Sequence, residues 1–320
     1  MKKLVTIALL IFFAGVAALG QHTLMQQPPC INGEGCDLVL MTWNVEHYYV
    51  DSETEEMRSW FSQVLEELNP AILFIQEIAN DEKVAHFKDA EEAYPIAVFT
   101  NTGSGTDNAI FFHQDITVED LPDPVRDNTS ETSFRHPPQI ARFTHDGVSA
   151  VVMSVHLTWG DDARIERGKE RQHLVNLVRD LRNDGYQEFI VSGDFNTTEA
   201  EGDTIQGLAD ALGLQVLRHE GQDAVGTTYD SDDVNKYDYF LVSPGIGNRA
   251  VGSCVVIFND LEMAEDVANH RPVLICLQFQ DSSGDTGGWI TEAAAGGSTA
   301  GVVLVIVLAW LIGKRRRSAR

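Results

Sequence analysis

Cations are scarce in this 320-residue chain: 23 Lys and Arg stand against 48 Asp and Glu, a formal net charge of −25. Seven of the 23 sit at the extreme ends, Lys2 and Lys3 at one and Lys314, Arg315, Arg316, Arg317 and Arg320 at the other, leaving 16 between them. Sequence-independent clamping of nucleic acid needs several phosphate-neutralising side chains. The balance therefore argues against tight, non-specific clamping of nucleic acid, and does not exclude an enzyme that meets phosphate through a bound metal. Cysteine is sparse too: Cys30, Cys36, Cys254 and Cys276. The lack of any CxxC pair argues against a thiolate zinc site. An even count favours disulfides in an exported chain. Of the three connectivities, Cys30–Cys36 with Cys254–Cys276 is expected, the first closing a small loop and the second joining neighbouring strands. No internal repeat occurs at solenoid or propeller periods. Hydrophobic residues make up 43% of the chain, ordinary for a globular protein.

Both ends read as targeting segments. Residues 1–20 run from a basic start through an apolar stretch to small residues, a secretory signal pattern with cleavage expected before Gln21. Residues 21–35 form a polar lead-in, 36–280 a single folded body, and 281–298 a Gly/Ser/Thr-rich linker. Residues 299–320 complete an apolar tail with a basic end, long enough to span a bilayer with that end in the cytoplasm. With Gly296, Gly297 and Ser298 ahead of it, the tail resembles bacterial Gly-Gly sorting signals, which rhomboid-type proteases process. A permanent single-span anchor stays open beside that reading. Either way the expected location is exported: cell-surface or periplasmic, anchored at the C-terminus or released after processing.

Within the body, LVLMTW (38–43), AILFI (71–75), AVVMSV (150–155), EFIVS (188–192), YFLV (239–242) and VLICLQF (273–279) read as strands. Several are apolar without alternation, so both faces should be buried. Residues 53–68 place Met57, Trp60, Phe61, Val64, Leu65 and Leu68 at helical spacing, ended by Asn69-Pro70. Residues 163–183 repeat the pattern with Leu174, Leu177, Val178 and Leu181. Helices over such strands predict a layered α/β architecture. Polar clusters WN, QE, H-L and GDFN follow the first four strands, while KYD and NH precede the last two. If all six share one rim, the last two strands run opposite to the first four, which requires mixed sheets.

Those clusters carry chemistry. Glu77 ends a buried strand, where a carboxylate is costly unless paired or metal-bound; Mg2+ takes such carboxylates together with phosphate oxygens. In GDFN, Gly193 allows a sharp exit, Asp194 can orient or deprotonate a water, and Asn196 can donate to a phosphoryl oxygen. Alone, GDFN also reads as an Asx turn ahead of a helix at 204–212. His156 and His270 at strand ends suit acid–base work. Asp238 can fix the ring of His156, and Asn44 can reach metal or phosphate.

WNVE, IQE, NAIFF, VHL, GDFN, YDYFLVS and NHRPV occur in this order across about residues 36–280. Each is weak alone; the ordered set resembles the endonuclease/exonuclease/phosphatase family, which includes the pancreatic-type deoxyribonucleases. The resemblance implies a four-layer α/β sandwich, two packed mixed β-sheets flanked by helices. It implies metal binding by Glu77 with Asn44, the ion being Mg2+ or alternatively Mn2+ or Ca2+. Asp194 and Asn196 would handle water and phosphate. His156, oriented by Asp238, would be general acid or phosphate stabiliser, and His270 general base or phosphate ligand. Arg135 in SFRHPP would contact phosphate. The family has Ser-Asp-His where this chain has Ala268-Asn269-His270. Asn269 can orient His270 but carries no charge, so His270 is expected to be less basic than in relatives.

Nucleic acid is the expected substrate and a nuclease the expected activity. Inositol-phosphatase patterns are absent, and export argues against intracellular repair. A sphingomyelinase-like or other phosphoesterase activity remains an alternative; its membrane-directed aromatics are not evident, and Trp159 in HLTWGDD is expected to be buried. A catalytically weak, surface-tethered binding module is the second class of reading, supported only by Asn269.

Overall fold

The computed structural model describes residues 24–31, 35–45, 54–90, 92–121, 134–160, 163–197, 204–219, 225–229 and 236–279. The chain divides into compact units Met1–Gln280 and Asp281–Arg320; all described residues lie in the first. The signal segment, the linker and the apolar tail lie outside them. Among the described residues no helix is long and apolar enough to cross a membrane.

In chain order the elements are β1 (Leu38–Asn44), α1 (Glu55–Leu68), β2 (Ile72–Ile78), α2 (Asp81–Ala90), β3 (Ile96–Phe99) and β4 (Asp107–Phe112). Then come β5 (Thr117–Asp120), β6 (Gln139–His145), β7 (Val148–His156), α3 (Arg164–Asn183), β8 (Phe189–Asp194), α4 (Ile205–Leu212), β9 (Gln215–Leu217) and β10 (Asp238–Val242). A short α5 (Pro244–Gly247), β11 (Ala250–Val255), α6 (Leu261–Val267) and β12 (Val273–Leu277) complete them. The strands form two six-stranded sheets, ordered β11-β12-β1-β2-β4-β3 and β5-β6-β7-β8-β10-β9. β1 and β2 are parallel, as are β7 and β8, while β12 runs against β1 and β10 against β8. The strand directions inferred from the rim clusters are therefore those observed.

Three apolar clusters make the layers. Leu40, Ile72, Phe74, Val152, Ile190 and Phe240 fill the space between the sheets. Met41, Trp43, Leu73 and Ile75 face outward under Trp60, Phe61 and Leu65 of α1. Val151, Met153 and Val191 face outward under α3 and α4. This period-two division within β1, β2 and β7 explains their continuous apolar runs. A 14-residue helix such as α1 is marginal alone. Each large side chain it buries contributes about 1.5–3 kcal/mol, and six are buried. Thr54 caps its start by accepting from Met57 N, and Asn69 ends it in the left-handed region with φ 43°.

The disulfides correct the expected pairing: Cys30 joins Cys254 and Cys36 joins Cys276. Cys254 and Cys276 do lie on neighbouring strands, but out of register. Cys254 faces Leu274, and Cys276 faces Gly252. A 3-10 turn at Pro29–Ile31 lies on β11 and β12 and brings Cys30 to Cys254 beneath α1. Each bridge thus ties the start of the body to its last strands, closing sequence separations of 224 and 240 residues. Reduction should lower the thermal midpoint by an amount equivalent to about 2–5 kcal/mol per bridge. Non-reducing peptide mapping should recover Cys30–Cys254 and Cys36–Cys276; recovery of Cys30–Cys36 would refute this topology.

Candidate active site

The rim of the sandwich is built by strand register. Inward-facing positions alternate along β1 through Leu40 and Thr42, along β7 through Val152 and Ser154, and along β8 through Ile190 and Ser192. The next positions in the same phase are Asn44, His156 and Asp194. His156 lies directly across from Asp194, and Asp194 across from Asp238. Beneath them Gln76 crosses between the sheets, donating to Ser154 Oγ at 3.1 Å and to Thr42 Oγ1 at 3.3 Å. Glu77 comes from a register irregularity near the end of β2, with φ 66°. Gly193 has φ 140°, and a Cβ there would lie 1.9 Å from the Val155 carbonyl oxygen. Only glycine lets β8 approach β7 this closely, which adds a packing reason to the sharp exit expected at GDFN.

The expected side chains converge. Asn44 Nδ2 lies 3.2 Å from both Glu77 Oε1 and Asp194 Oδ2, donating to each carboxylate. His156 Nε2 lies 3.6 Å from Glu77 and 3.7 Å from Asp194. His270 Nε2 lies 3.6 Å from Asp194. Asn196, at φ 47°, donates its backbone N–H to Asp194 Oδ1 at 2.8 Å and its amide to the Leu157 carbonyl at 2.8 Å. One amide hydrogen of Asn196 is thereby used, of the two its side chain carries. Asn44, Asp194, Asp238, His156, Asn196 and His270 are all buried. All but Asp238 open on a cleft of about 440 Å³, which Arg135 and Asn269 also line.

One expectation about the histidines is corrected. Asp238 does not orient His156; its Oδ2 bonds Nδ1 of His270 at 2.7 Å. β10 places Asp238 beyond Asp194, on the side from which His270 enters, whereas His156 lies across Asp194 on β7. No described side chain hydrogen-bonds Nδ1 of His156. His270 has charged partners of its own although Asn269 carries no charge. Burial alone would lower its pKa, but Asp238, then Asp194 and Glu77, push it up to about 9. Burial holds the Asp238 carboxyl above its ordinary range, opposed by His270. Trp159 is the second correction here: it is 77% exposed and lines the cleft.

Several contributors escaped sequence reading. His136 is buried and its ring stacks on His156, centroids 4.7 Å apart, with Thr106 Oγ1 3.0 Å from its Nδ1. Burial first, then the His156 and Arg135 charges, lower its pKa to about 3. It therefore packs as a neutral ring. Trp43 Nε1 donates to the His270 carbonyl at 2.9 Å. Thr227 Oγ1 accepts from Tyr237 N and Asp238 N. Glu170 on α3 is 1% exposed and accepts from Arg135 N at 3.0 Å, Thr158 N at 2.8 Å and Thr158 Oγ1 at 2.7 Å. Glu170 shares the i, i+4, i+7 stripe with Leu174 and Leu177, and a charged residue on an apolar stripe was the available signal.

The donor set fits a hard divalent cation. Glu77 and Asp194 are screened carboxylates sharing an amide donor, and oxygen ligands favour Mg2+-class ions over softer ones. Asp194, Asp238 and His270 also group closely enough to share an ion.

A family model described as "Endonuclease/Exonuclease/phosphatase family" matches residues 41–257. No curated protein sequence matches. Among solved structures, truncated Caenorhabditis elegans TDP2 is similar with TM-score 0.56 and 16% identity, over 76% of this chain and 98% of that one. An AP endonuclease from Archaeoglobus fulgidus gives TM-score 0.55 and 16% identity, over 76% and 100%. D. rerio TDP2 complexed with a single-strand DNA product gives 0.56 and 15%, over 76% and 99%. At these identities the likeness concerns the fold.

Proposed function

This chain belongs to the endonuclease/exonuclease/phosphatase family, and from that premise we propose that it is an exported, divalent-metal-dependent phosphodiester hydrolase acting on nucleic acid. One observation carries the reading: an amide, two carboxylates and two imidazoles are joined by a chain of contacts of 3.2–3.7 Å, centred on Asp194, at the floor of one cleft. Glu77 and Asn44 would hold the cation, with Mg2+ the best match. When bound, it offsets phosphate charge and polarises the phosphorus centre. Asp194 orients the attacking water and accepts its proton. His270, cationic at neutral pH through Asp238, stabilises charge on a phosphoryl oxygen. Asn196 donates its remaining amide hydrogen to the same group, and His156 covers the side nearest Glu77. Arg135, exposed at the mouth, meets a phosphate.

Two disulfides support an oxidising compartment, in line with the signal pattern of residues 1–20 and the anchoring or processed tail of 299–320. Relatives named for DNA products or AP sites support nucleic acid as the substrate. A lipid phosphodiesterase is the second reading, favoured only by the exposed Trp159.

The test incubates the purified full chain with plasmid DNA, RNA, sphingomyelin and a chromogenic phosphodiester, with Mg2+, Mn2+, Ca2+ or chelator. Nicking or degradation of nucleic acid should occur with Mg2+ and stop with chelator. Hydrolysis of sphingomyelin alone would move the assignment to the lipid reading. Failure on all four substrates would leave the binding-module class.

A further inference from the structure

A single exposed apolar side chain is ordinary; Trp159 differs in how firmly it is presented. The residue before it, Thr158, is 8% exposed, and both its N–H and its hydroxyl are held by Glu170. Arg167, 3% exposed, donates to the carbonyls of Thr158 and Gly160, one on each side of the indole. Gly160 turns the chain with φ 108°. Two buried charged side chains of α3 thus fix a three-residue loop whose outward group is an indole. Burying such charges is costly unless they are satisfied locally. Packing does not require this arrangement, because the indole it fixes is 77% exposed.

The same Glu170 carboxylate also holds the backbone N–H of Arg135. Arg135 is exposed and lines the cleft together with Trp159. One buried carboxylate therefore sets a flat aromatic surface and a guanidinium at the mouth of the phosphoester centre. That pairing matches a nucleotide: a phosphate for the cation and a base for the ring. Trp159 is followed in sequence by Asp161 and Asp162, which would oppose insertion into a lipid surface.

Building on the nucleic-acid reading above, we propose that Trp159 is a base-stacking residue that holds a nucleobase next to the scissile phosphate, on a platform fixed by Glu170 and Arg167. A π-face accepts any base, so the contact raises affinity with little sequence preference. The substrate it selects is a strand with unstacked bases, single-stranded or locally opened.

The test separates stacking from turnover. With chelator present, oligothymidylate should quench the tryptophan emission of the full chain, and Trp159→Ala should abolish that quench. With Mg2+, KM for a short single-stranded oligonucleotide should rise roughly 5- to 150-fold in Trp159→Ala, from stacking worth about 1–3 kcal/mol per base, with kcat much less affected. Trp159→Phe should recover most of the loss. Glu170→Gln should move KM the same way, because its platform loosens. An unchanged KM in Trp159→Ala, or quenching by sphingomyelin–phosphatidylcholine vesicles but not by oligothymidylate, would overturn the proposal. Trp159-dependent quenching without any cleavage would retain stacking and reject the nuclease reading. Cleavage with unchanged KM would do the reverse.

Discussion

Asp194→Asn should lower kcat on a phosphodiester by about a thousand- to ten-thousand-fold while leaving the thermal midpoint within about 3 °C of wild type. The size follows from its central place. Asp194 accepts from Asn44 and from the backbone of Asn196, and both imidazoles lie 3.6–3.7 Å from its Oδ2. A positioned base contributes about a hundred- to ten-thousand-fold, and losing a carboxylate beside the cation adds to that. The small effect on stability also has a physical origin. Asn is nearly isosteric and keeps the acceptor for Asn196 N, while the Asn44 amide loses its acceptor here and keeps the one on Glu77. The substitution removes repulsion with Glu77 and Asp238 along with attraction to the two histidines. Extra Mg2+ should not restore this variant. Glu77→Gln, which weakens the cation's own ligand, should recover in part as Mg2+ is raised. Kinetics at several metal concentrations and thermal melts check both statements. Retention of more than a tenth of wild-type activity by Asp194→Asn would remove it from the chemistry.

The strand ends were readable because a buried β-strand has a strict period. Once Leu40 and Thr42 face inward, so does Asn44, and the same count brings His156 and Asp194 to the rim. Strand direction followed from which end of each apolar run carried polar residues. What could not be read was the pairing of groups across elements. His156 and His270 are both rim histidines, and only the register of β10 beside β8 assigns Asp238 to His270. The cysteines failed for a related reason: adjacency of β11 and β12 is suggested by sequence, but a two-residue offset in register is not. Strands β3, β5 and β9 have only three or four residues each, too few for a periodic signal. The sequence does not single out Arg167 and Glu170, because charged helix residues usually face water. Here they face the loop carrying Thr158 and Gly160, whose backbone supplies their partners. The exposure of Trp159 is illegible for the complementary reason, since an aromatic is usually buried unless the structure is built to present it.

Asp238→Asn should cost about a hundred- to ten-thousand-fold in kcat and should also change how stability depends on pH. Asp238 fixes the tautomer and charge of His270 through the 2.7 Å bond to Nδ1. Without it, burial, which by itself lowers the pKa of this ring, is opposed only by Asp194 and Glu77. His270 should then be largely neutral at the pH where the enzyme works. In wild type its pKa is about 9 against 6.5 in the unfolded chain. The folded state therefore binds the extra proton, and the resulting stability is fully present below pH 6.5. It is lost as pH rises through about 9 and can amount to roughly 3 kcal/mol. The absolute midpoint at pH 7 is a poor readout, because Asp238→Asn also relieves the cost of a buried carboxylate whose own pKa is raised. The slope is the better one. Melts in chelator from pH 6 to pH 10 should show wild type losing stability on the alkaline side and Asp238→Asn nearly flat over the same range. Parallel curves for the two proteins would mean that His270 does not draw its charge from Asp238, and the cationic role assigned to it at the phosphoryl oxygen would fall with that result.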